Sequence, residues 1–255
     1  MLPARLHPAG HEGPPPGVEA QPLLRRLGRL ATLSAAEVSI ITEACRGPLR
    51  ELPARGEIHA EGACPPPAAL VSGWAARVRM LADGRRQIVA FLLPGDLIGR
   101  PPPCLPAPCA ALALTRVLLA DAQPLFAASR FPQAPPTSGL ARALRAAELQ
   151  EEVLLRDQVV RLGRQTAYER LASLLLELRQ RLEAAGLAEP NRFALPLTQE
   201  VLADALGLSI VHINRTVQQM RRDRLIELRG GQVIILQQET LQSVADWQDM
   251  AGLQD

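Results

Sequence analysis

From Thr198 to Arg222 the chain reads TQEVLADALGLSIVHINRTVQQMRR, and its second half is crowded with side chains that donate and accept hydrogen bonds. His212, Asn214, Arg215, Gln218, Gln219 and Arg222 project away from Ile213, Val217 and Met220, which recur at i, i+4 and i+7. Arginine donates two parallel bonds to guanine, and asparagine or glutamine pairs with adenine; each good contact discriminates by about 1–3 kcal/mol. A solvent-facing row of these types is suited to reading base edges in a major groove, which admits one helix. Arg221, Arg222, Arg224 and Arg229 suit phosphates, which position a protein without reading sequence.

Such a helix has to be held in place, and the flanking residues supply the means. Thr198 is a natural N-cap for a short first helix beginning at Gln199, whose apolar face is Val201, Leu202, Ala205 and Leu206. Ala203 is small enough for a second helix to cross closely. Gly207 can take the positive φ of a tight turn, and Ser209 then caps the second helix. Beyond it, Leu225–Leu228 and Val233–Leu236 are strand-like, joined by Arg229-Gly230-Gly231-Gln232 with a favoured hairpin dipeptide. The pattern predicts a helix–turn–helix followed by a two-stranded wing. The plain alternative is a helical hairpin used only for packing; the polar second helix and the adjoining hairpin argue against it.

Upstream, residues 1–21 hold a Pro14-Pro15-Pro16 run and no apolar period, and are expected to be a disordered arm. A helix is predicted from Pro22, and Ser34 with Glu37 makes a capping box for a second. Between Leu49 and Gly99 short strand-like runs alternate with glycines, among them Ala69–Val71, Ala75–Leu81 and Gln87–Leu93. Asp83-Gly84 is expected to form a two-residue hairpin turn, and Leu112–Leu119 a single closing strand. Regular short strands suggest a small barrel or roll. Prolines break the pattern over 100–110 and mark a linker over 131–138. From Ser138 to Ala185 the chain is expected to be helical, with Gly163 a point of interruption and Gly186 the end.

The whole chain of 255 residues suits one large or two smaller domains. All 28 basic residues are arginine, as a GC-rich coding sequence explains, and the net charge is only +2. Neither value decides nucleic-acid binding, which needs a local basic surface. No apolar run approaches the roughly 18 residues of a membrane span. The first 22 residues lack the charged start and apolar stretch of an export signal, so a cytoplasmic location with reduced thiols is expected.

Taken with these motifs, the chain resembles the Crp/Fnr superfamily of bacterial transcriptional regulators. The resemblance runs from about Leu30 to Trp247 and rests on LTQEVLADALGLSIVHINRTVQQMRRDRLIELRGGQVII and on GWAARVRMLADGRRQIVAFLLPGDLIG with its Pro94-Gly95-Asp96 turn. It implies an α+β fold: a cyclic-nucleotide-binding-like β-roll (a double-stranded β-helix) over 22–137, a dimerisation helix over 138–163, and a winged helix-turn-helix over 164–255. By resemblance the base-reading positions fall on Ile210, Val211 and Arg215. Many members carry Arg and Glu at the first two, so the half-site read here is expected to differ, with thymine methyls as natural partners for Ile210 or Val211. The expected DNA-contacting set is Thr198, Gln199, Ser209, Ile210, Val211, His212, Asn214, Arg215, Gln218, Gln219, Arg222 and Arg229. A homodimer on a near-palindromic duplex site is implied, with RNA polymerase as a further partner and no membrane. The helical repeat over 138–163 is irregular and does not assign a coiled-coil seam.

No cofactor is expected. Nucleotide-binding members carry a Gly-Glu pair and an Arg-Ser/Thr-Ala sequence after the turn, whereas here Gly99 precedes Arg100-Pro101-Pro102-Pro103. Cys45, Cys64, Cys104 and Cys109 lack the clustering of an iron–sulfur set, although Cys104 and Cys109 are near enough in sequence for a disulfide switch. Haem is disfavoured because His59 is the only histidine of the roll. The same scarcity argues against a cupin-like metalloenzyme, and no Walker loop, nucleophile elbow or zinc motif appears. Two alternatives stay open: a redox- or metal-sensing regulator of this type, and a dimerising regulator that has lost DNA binding.

Overall fold

The computed structural model describes residues 20–101, 106–129 and 138–247. The arm expected over 1–21 lies outside these residues except at its end, where Ala20 is already buried and Gln21 opens the first helix. Cys104 and all of the 131–138 linker but Ser138 also lie outside.

Two helices lead, α1 (Gln21–Leu30) and α2 (Ala35–Arg46). The capping box of α2 forms as expected: the Ser34 hydroxyl accepts from the Glu37 N–H, and the Ser34 N–H donates to the Glu37 carboxylate at 2.8 Å. Eight strands follow: β1 (Arg50–Leu52), β2 (Glu57–His59), β3 (Ala68–Ser72), β4 (Ala75–Met80), β5 (Arg86–Leu92), β6 (Leu97–Ile98), β7 (Ala110–Ala113) and β8 (Val117–Asp121). They build two antiparallel four-stranded sheets, in the orders β1-β8-β3-β6 and β2-β7-β4-β5. Leu70, Val117 and Leu119 of one sheet meet Ala75, Leu92 and Ala113 of the other to fill the roll. Side chains alternate along a strand, so Ala69 and Val71 point the other way, into a second core with α1, α2 and α3 (Gln123–Ser129).

Two local expectations are corrected here. The β4–β5 turn is a three-residue loop, Ala82-Asp83-Gly84, closed by Leu81 N–H donating to the Arg85 carbonyl at 2.8 Å. Gly84 takes φ +83, so the glycine supplies the left-handed residue of a longer turn and not half of a two-residue one. The run 112–119 is two strands, because at Leu114 and Thr115 both N–H groups turn to the Trp74 carbonyl, at 2.7 and 3.1 Å. A continuous apolar run hides such a corner when its breaker is a threonine.

The second half begins with α4 (Gly139–Arg164) and α5 (Ala167–Ala184). Helix α4 runs through Gly163 without interruption. Its start is tied to α2 by the Leu140 N–H, which donates to Glu37 at 2.8 Å. Burial opposes ionisation of the Glu37 carboxyl, but the Leu140 and Ser34 N–H groups and the Ser34 and Ser138 hydroxyls outweigh it and hold it below the usual range. Strands β9 (Ala188–Glu189) and β10 (Arg192–Ala194) follow, then α6 (Gln199–Leu206), α7 (Ile210–Arg222), β11 (Ile226–Arg229), β12 (Gln232–Ile235) and α8 (Gln238–Ala245). The wing is therefore the edge of a four-stranded antiparallel sheet, β11-β12-β10-β9, and not an isolated pair. Phe193 of β10 lies opposite Val233 of β12 and both are buried.

The third core joins the two halves. It takes Leu171, Leu175 and Leu178 from α5, Leu202 and Leu206 from α6, Ile213, Val217 and Met220 from α7, and Phe193 and Val233 from the wing sheet. It continues into Trp74, Val78, Ile88 and Phe91 on the outer face of the roll. Trp74 and Phe91 meet edge to face, with ring centres 6.3 Å apart. The boundary expected at 163/164 falls within the last turn of α4, and one core joins the parts of the chain on either side of it.

Candidate nucleic-acid interface

Helix α6 starts where Thr198 accepts the Val201 N–H at 3.2 Å. It ends at Gly207, in the left-handed region at φ +63, where a side chain would be strained. Two residues on, the Ser209 hydroxyl accepts the His212 N–H at 3.2 Å and opens α7. Caps at both helices and a glycine between them set the crossing. Ser209→Ala is expected to lower stability by about 0.5–2 kcal/mol, read as a shifted midpoint in urea unfolding with an unchanged slope.

Helix α7 presents the two faces expected. Ile213, Val217 and Met220 are buried, whereas His212, Asn214, Arg215, Gln218 and Arg222 are exposed and Gln219 is half-exposed. Val211, Arg215, Gln218 and Arg222 follow at i, i+4, i+7 and i+11, so they centre the outer stripe. Ile210 is 49 % and Val211 72 % exposed, a large apolar area offered to water at the start of an otherwise polar face. Thr216 was not expected inside, yet it is buried, with its hydroxyl donating to the His212 carbonyl at 2.9 Å. The i, i+3, i+4, i+7 stripe beginning at Ile213 passes through it, and that spacing was the available signal.

Neighbours hold several of the polar groups. Gln199 Nε2 donates to Asn214 Oδ1 at 3.2 Å, across from the start of α6. Arg222 donates to Gln219 Oε1 at 2.5 Å, Gln219 Nε2 to Asp223 Oδ1 at 2.8 Å, and the Tyr168 hydroxyl of α5 to Asp223 Oδ2 at 2.7 Å. Partial burial and the adjacent Asp223 carboxylate push the Tyr168 hydroxyl up to about 12, so it is a donor at any physiological pH. The same bond, with that from Gln219, holds Asp223 below the ordinary carboxylate range. Among the described residues Arg215 has no hydrogen-bond or ion-pair partner. Arg229 stands at the wing tip beside Gly230 and Gly231, at φ +57 and +74, the left-handed pair that closes a two-residue turn on Arg229 and Gln232 as expected.

A cavity of about 540 Å³ lies between the roll and α4. Its arginines are all matched by carboxylates of the same chain: Arg77 pairs with Glu151 and Arg100 with Glu148 of α4, while Arg26 and Arg181 share Asp96 of the Pro94-Gly95-Asp96 turn. Asp96 also accepts the Leu93 N–H at 2.7 Å. Its burial opposes ionisation, but Arg26, Arg181, that N–H and Arg77 together hold its carboxyl below the usual value. Cys109 borders the cavity, and burial, then Glu61, pushes its thiol up, so it lacks the thiolate character of a reactive cysteine. Among the described residues no group of three or more histidines, cysteines or carboxylates is placed to hold a metal ion.

Comparison with known proteins bears on the same region. The Crp-like helix-turn-helix domain family matches residues 169–244. The chain is 36 % identical over 173 residues to the transcriptional activator protein FnrL of Cereibacter sphaeroides, covering 66 % of this chain and 68 % of that one. It is 33 % identical over 193 residues to the nitrogen fixation regulation protein FixK of Rhizobium meliloti, covering 74 % and 83 %. The solved structure of FixK2 from Bradyrhizobium japonicum superposes with a TM-score of 0.67 at 27 % identity, over 79 % of this chain and 98 % of that one. The similarity thus takes in roll, long helix and winged unit together, in the order in which the chain builds them. With a capped helix pair, a polar outer face and a wing in place, the chain belongs to the Crp/Fnr superfamily and is a DNA-binding transcription regulator.

Proposed function

We propose that the chain binds a near-palindromic duplex as a homodimer, with α7 of each protomer in a major groove and Arg229 of each wing on the flanking backbone. The observation that carries this reading is the outer stripe of α7, where an unpartnered Arg215 sits between the exposed apolar pair Ile210 and Val211 and the polar Gln218 and Arg222. Arg215 reads guanine, Asn214 and Gln218 read base edges beside it, and Val211 with Ile210 packs on thymine methyls. Thr198, Gln199 and Ser209 at the helix starts, with His212, Gln219 and Arg222, complete the contact set. Dimerisation is assigned to α4, whose Leu149, Leu155, Val159 and Val160 are exposed apolar side chains, Val159 at 72 %.

Regulation proceeds by binding and not by catalysis, in the cytoplasm. RNA polymerase is the partner through which an activator of this kind would act. No helix among the described residues is long and apolar enough to cross a membrane. Cyclic nucleotide is not assigned as an effector: each arginine at the cavity already has a carboxylate partner in Asp96, Glu148 or Glu151, and a phosphate would have to compete with those carboxylates.

Gel-shift titration of the purified protein against duplexes carrying inverted repeats from its own gene's upstream region tests this. Two protomers are expected per duplex. With Arg221, Arg222, Arg224 and Arg229 on phosphates in each protomer, log K should fall against log salt with a slope of about −7. Val159→Glu should give a monomer in sedimentation and lose the shift. A dimer that shifts no duplex, even in dilute buffer, would replace this reading with that of a dimerising protein without DNA contact.

A further inference from the structure

Six side chains form one unbroken row from the roll to the helix–turn–helix. Arg26 of α1 meets Asp96 at 2.6 Å, and the other oxygen of Asp96 meets Arg181 of α5 at 2.6 Å. Arg181 reaches Glu177 at 3.0 Å, and the other oxygen of Glu177 reaches Arg161 of α4 at 2.7 Å. Arg161 donates to Gln158 Oε1 at 2.6 Å, and Gln158 Nε2 donates to the Ala205 carbonyl at 2.8 Å. Asp96, Gln158, Arg161 and Glu177 are each less than one-tenth exposed.

Stability does not account for such a row. Buried ion pairs recover little more than their desolvation cost, and apolar residues of similar volume commonly serve as well or better. What the row confers is geometry. Each carboxylate spends one oxygen on each neighbour, so shifting a member leaves a charge without its partner in a dry interior. The row ends at a mechanically sensitive place. Ala205 and Leu206 are the last residues of α6 before the Gly207 turn, and their carbonyls are held from three sides: by Gln158 of α4, by Gln87 of β5 at 3.3 Å, and by Arg170 of α5 at 2.9 Å. Only Gly207, Leu208 and Ser209 separate that anchor from α7.

We propose that this row sets the placement of α7 from the roll, and that Gln158, outside the DNA-contacting set, is the positioning residue through which it does so. The inference rests on α7 being the element that reads the duplex. Displacing the end of α6 moves the base-reading stripe relative to the wing while leaving its charge unchanged. Specific binding, which needs register, therefore suffers, and non-specific binding, which needs only charge, does not.

The decisive experiment compares wild type with Gln158→Met, which keeps length and burial but cannot donate to Ala205. Each is titrated against its operator and against a scrambled duplex at the same salt. The variant is expected to lose about tenfold in operator affinity with scrambled-duplex affinity and salt slope unchanged. A merely structural role would lower both affinities together by reducing the folded fraction, and that outcome, or an unchanged ratio, overturns the proposal. Asp96→Asn, at the roll end of the row, should reproduce the lowered ratio, and the double variant should lose no more than Gln158→Met alone; additive losses would also overturn it. A wild-type protein that discriminates no duplex at all would instead count against the assignment of α7 as reader.

Discussion

Arg215→Ala is expected to abolish discrimination at the operator's guanine position while leaving the protein folded. Arg215 is exposed and has no partner within the described chain, so its truncation breaks nothing internal, and a surface change of this kind shifts stability by no more than about 0.5 kcal/mol. On a duplex the loss is of another order. A bidentate arginine–guanine contact discriminates by about 1–3 kcal/mol, and a symmetric dimer makes it twice. The variant should therefore bind its operator between about thirtyfold and more than ten-thousandfold more weakly, which is about 2–6 kcal/mol. Competition titration against the operator and against a duplex changed at the guanine measures this. The variant should bind the two alike, and its salt slope should fall by less than the loss of a phosphate-binding arginine would cause. If affinity and selectivity both survive, Arg215 does not read the site.

Phe193→Ala is expected to destabilise the protein by about 3–5 kcal/mol, a large part of the roughly 5–15 kcal/mol that holds a domain folded. Phe193 is among the largest fully buried side chains and sits at the centre of the β10–β12 pairing. Its removal leaves a cavity walled by a rigid sheet and by α5, which can collapse only in part. At about 2–4 °C per kcal/mol for a chain of this size, the melting midpoint should fall by roughly 10 °C. The core around Phe193 continues to Trp74 and Phe91 on the roll, so Trp74 fluorescence should report the same lowered midpoint as circular dichroism. Two separated transitions, with only one displaced, would show that the halves unfold independently.

Much of the interface is legible in sequence because it is built from local rules. Thr198, Ser209, Gly207 and the Gly230-Gly231 pair act through bonds and torsions within a few residues of themselves, and each does what its type implies. The second strand pair of the wing sheet was not legible. Strands β9 and β10 contribute two and three residues, too few for a period-two signal, and they stand as strands because β12 supplies the partner edge. The corner at Leu114 and Thr115 is likewise set by a distant carbonyl, that of Trp74. Nor does sequence disclose the inward arginines and carboxylates of α4 and α5. On an amphipathic helix Gln158, Arg161 and Glu177 read as a wet face, and only the arrival of the roll and α6 dries them. Ile210 and Val211 are a different case: their apolar type alone says nothing of a reading face, and it was the family resemblance that placed them there, where they stand exposed at the start of α7.

The core shared between roll and winged unit restricts how regulators of this build can be recombined. A crossover at Gln165 or Thr166, between the two long helices, looks neutral in a linear view of the chain. In space it would mate the outer faces of β4 and β5, with Ile88 and Phe91, to a stranger's α5 and α6. Chimaeras joined there would inherit mismatched surfaces, and viable exchange would have to carry the β4–β5 hairpin along with the reading head. Roll and reading head of this chain are thus matched parts and not interchangeable cassettes.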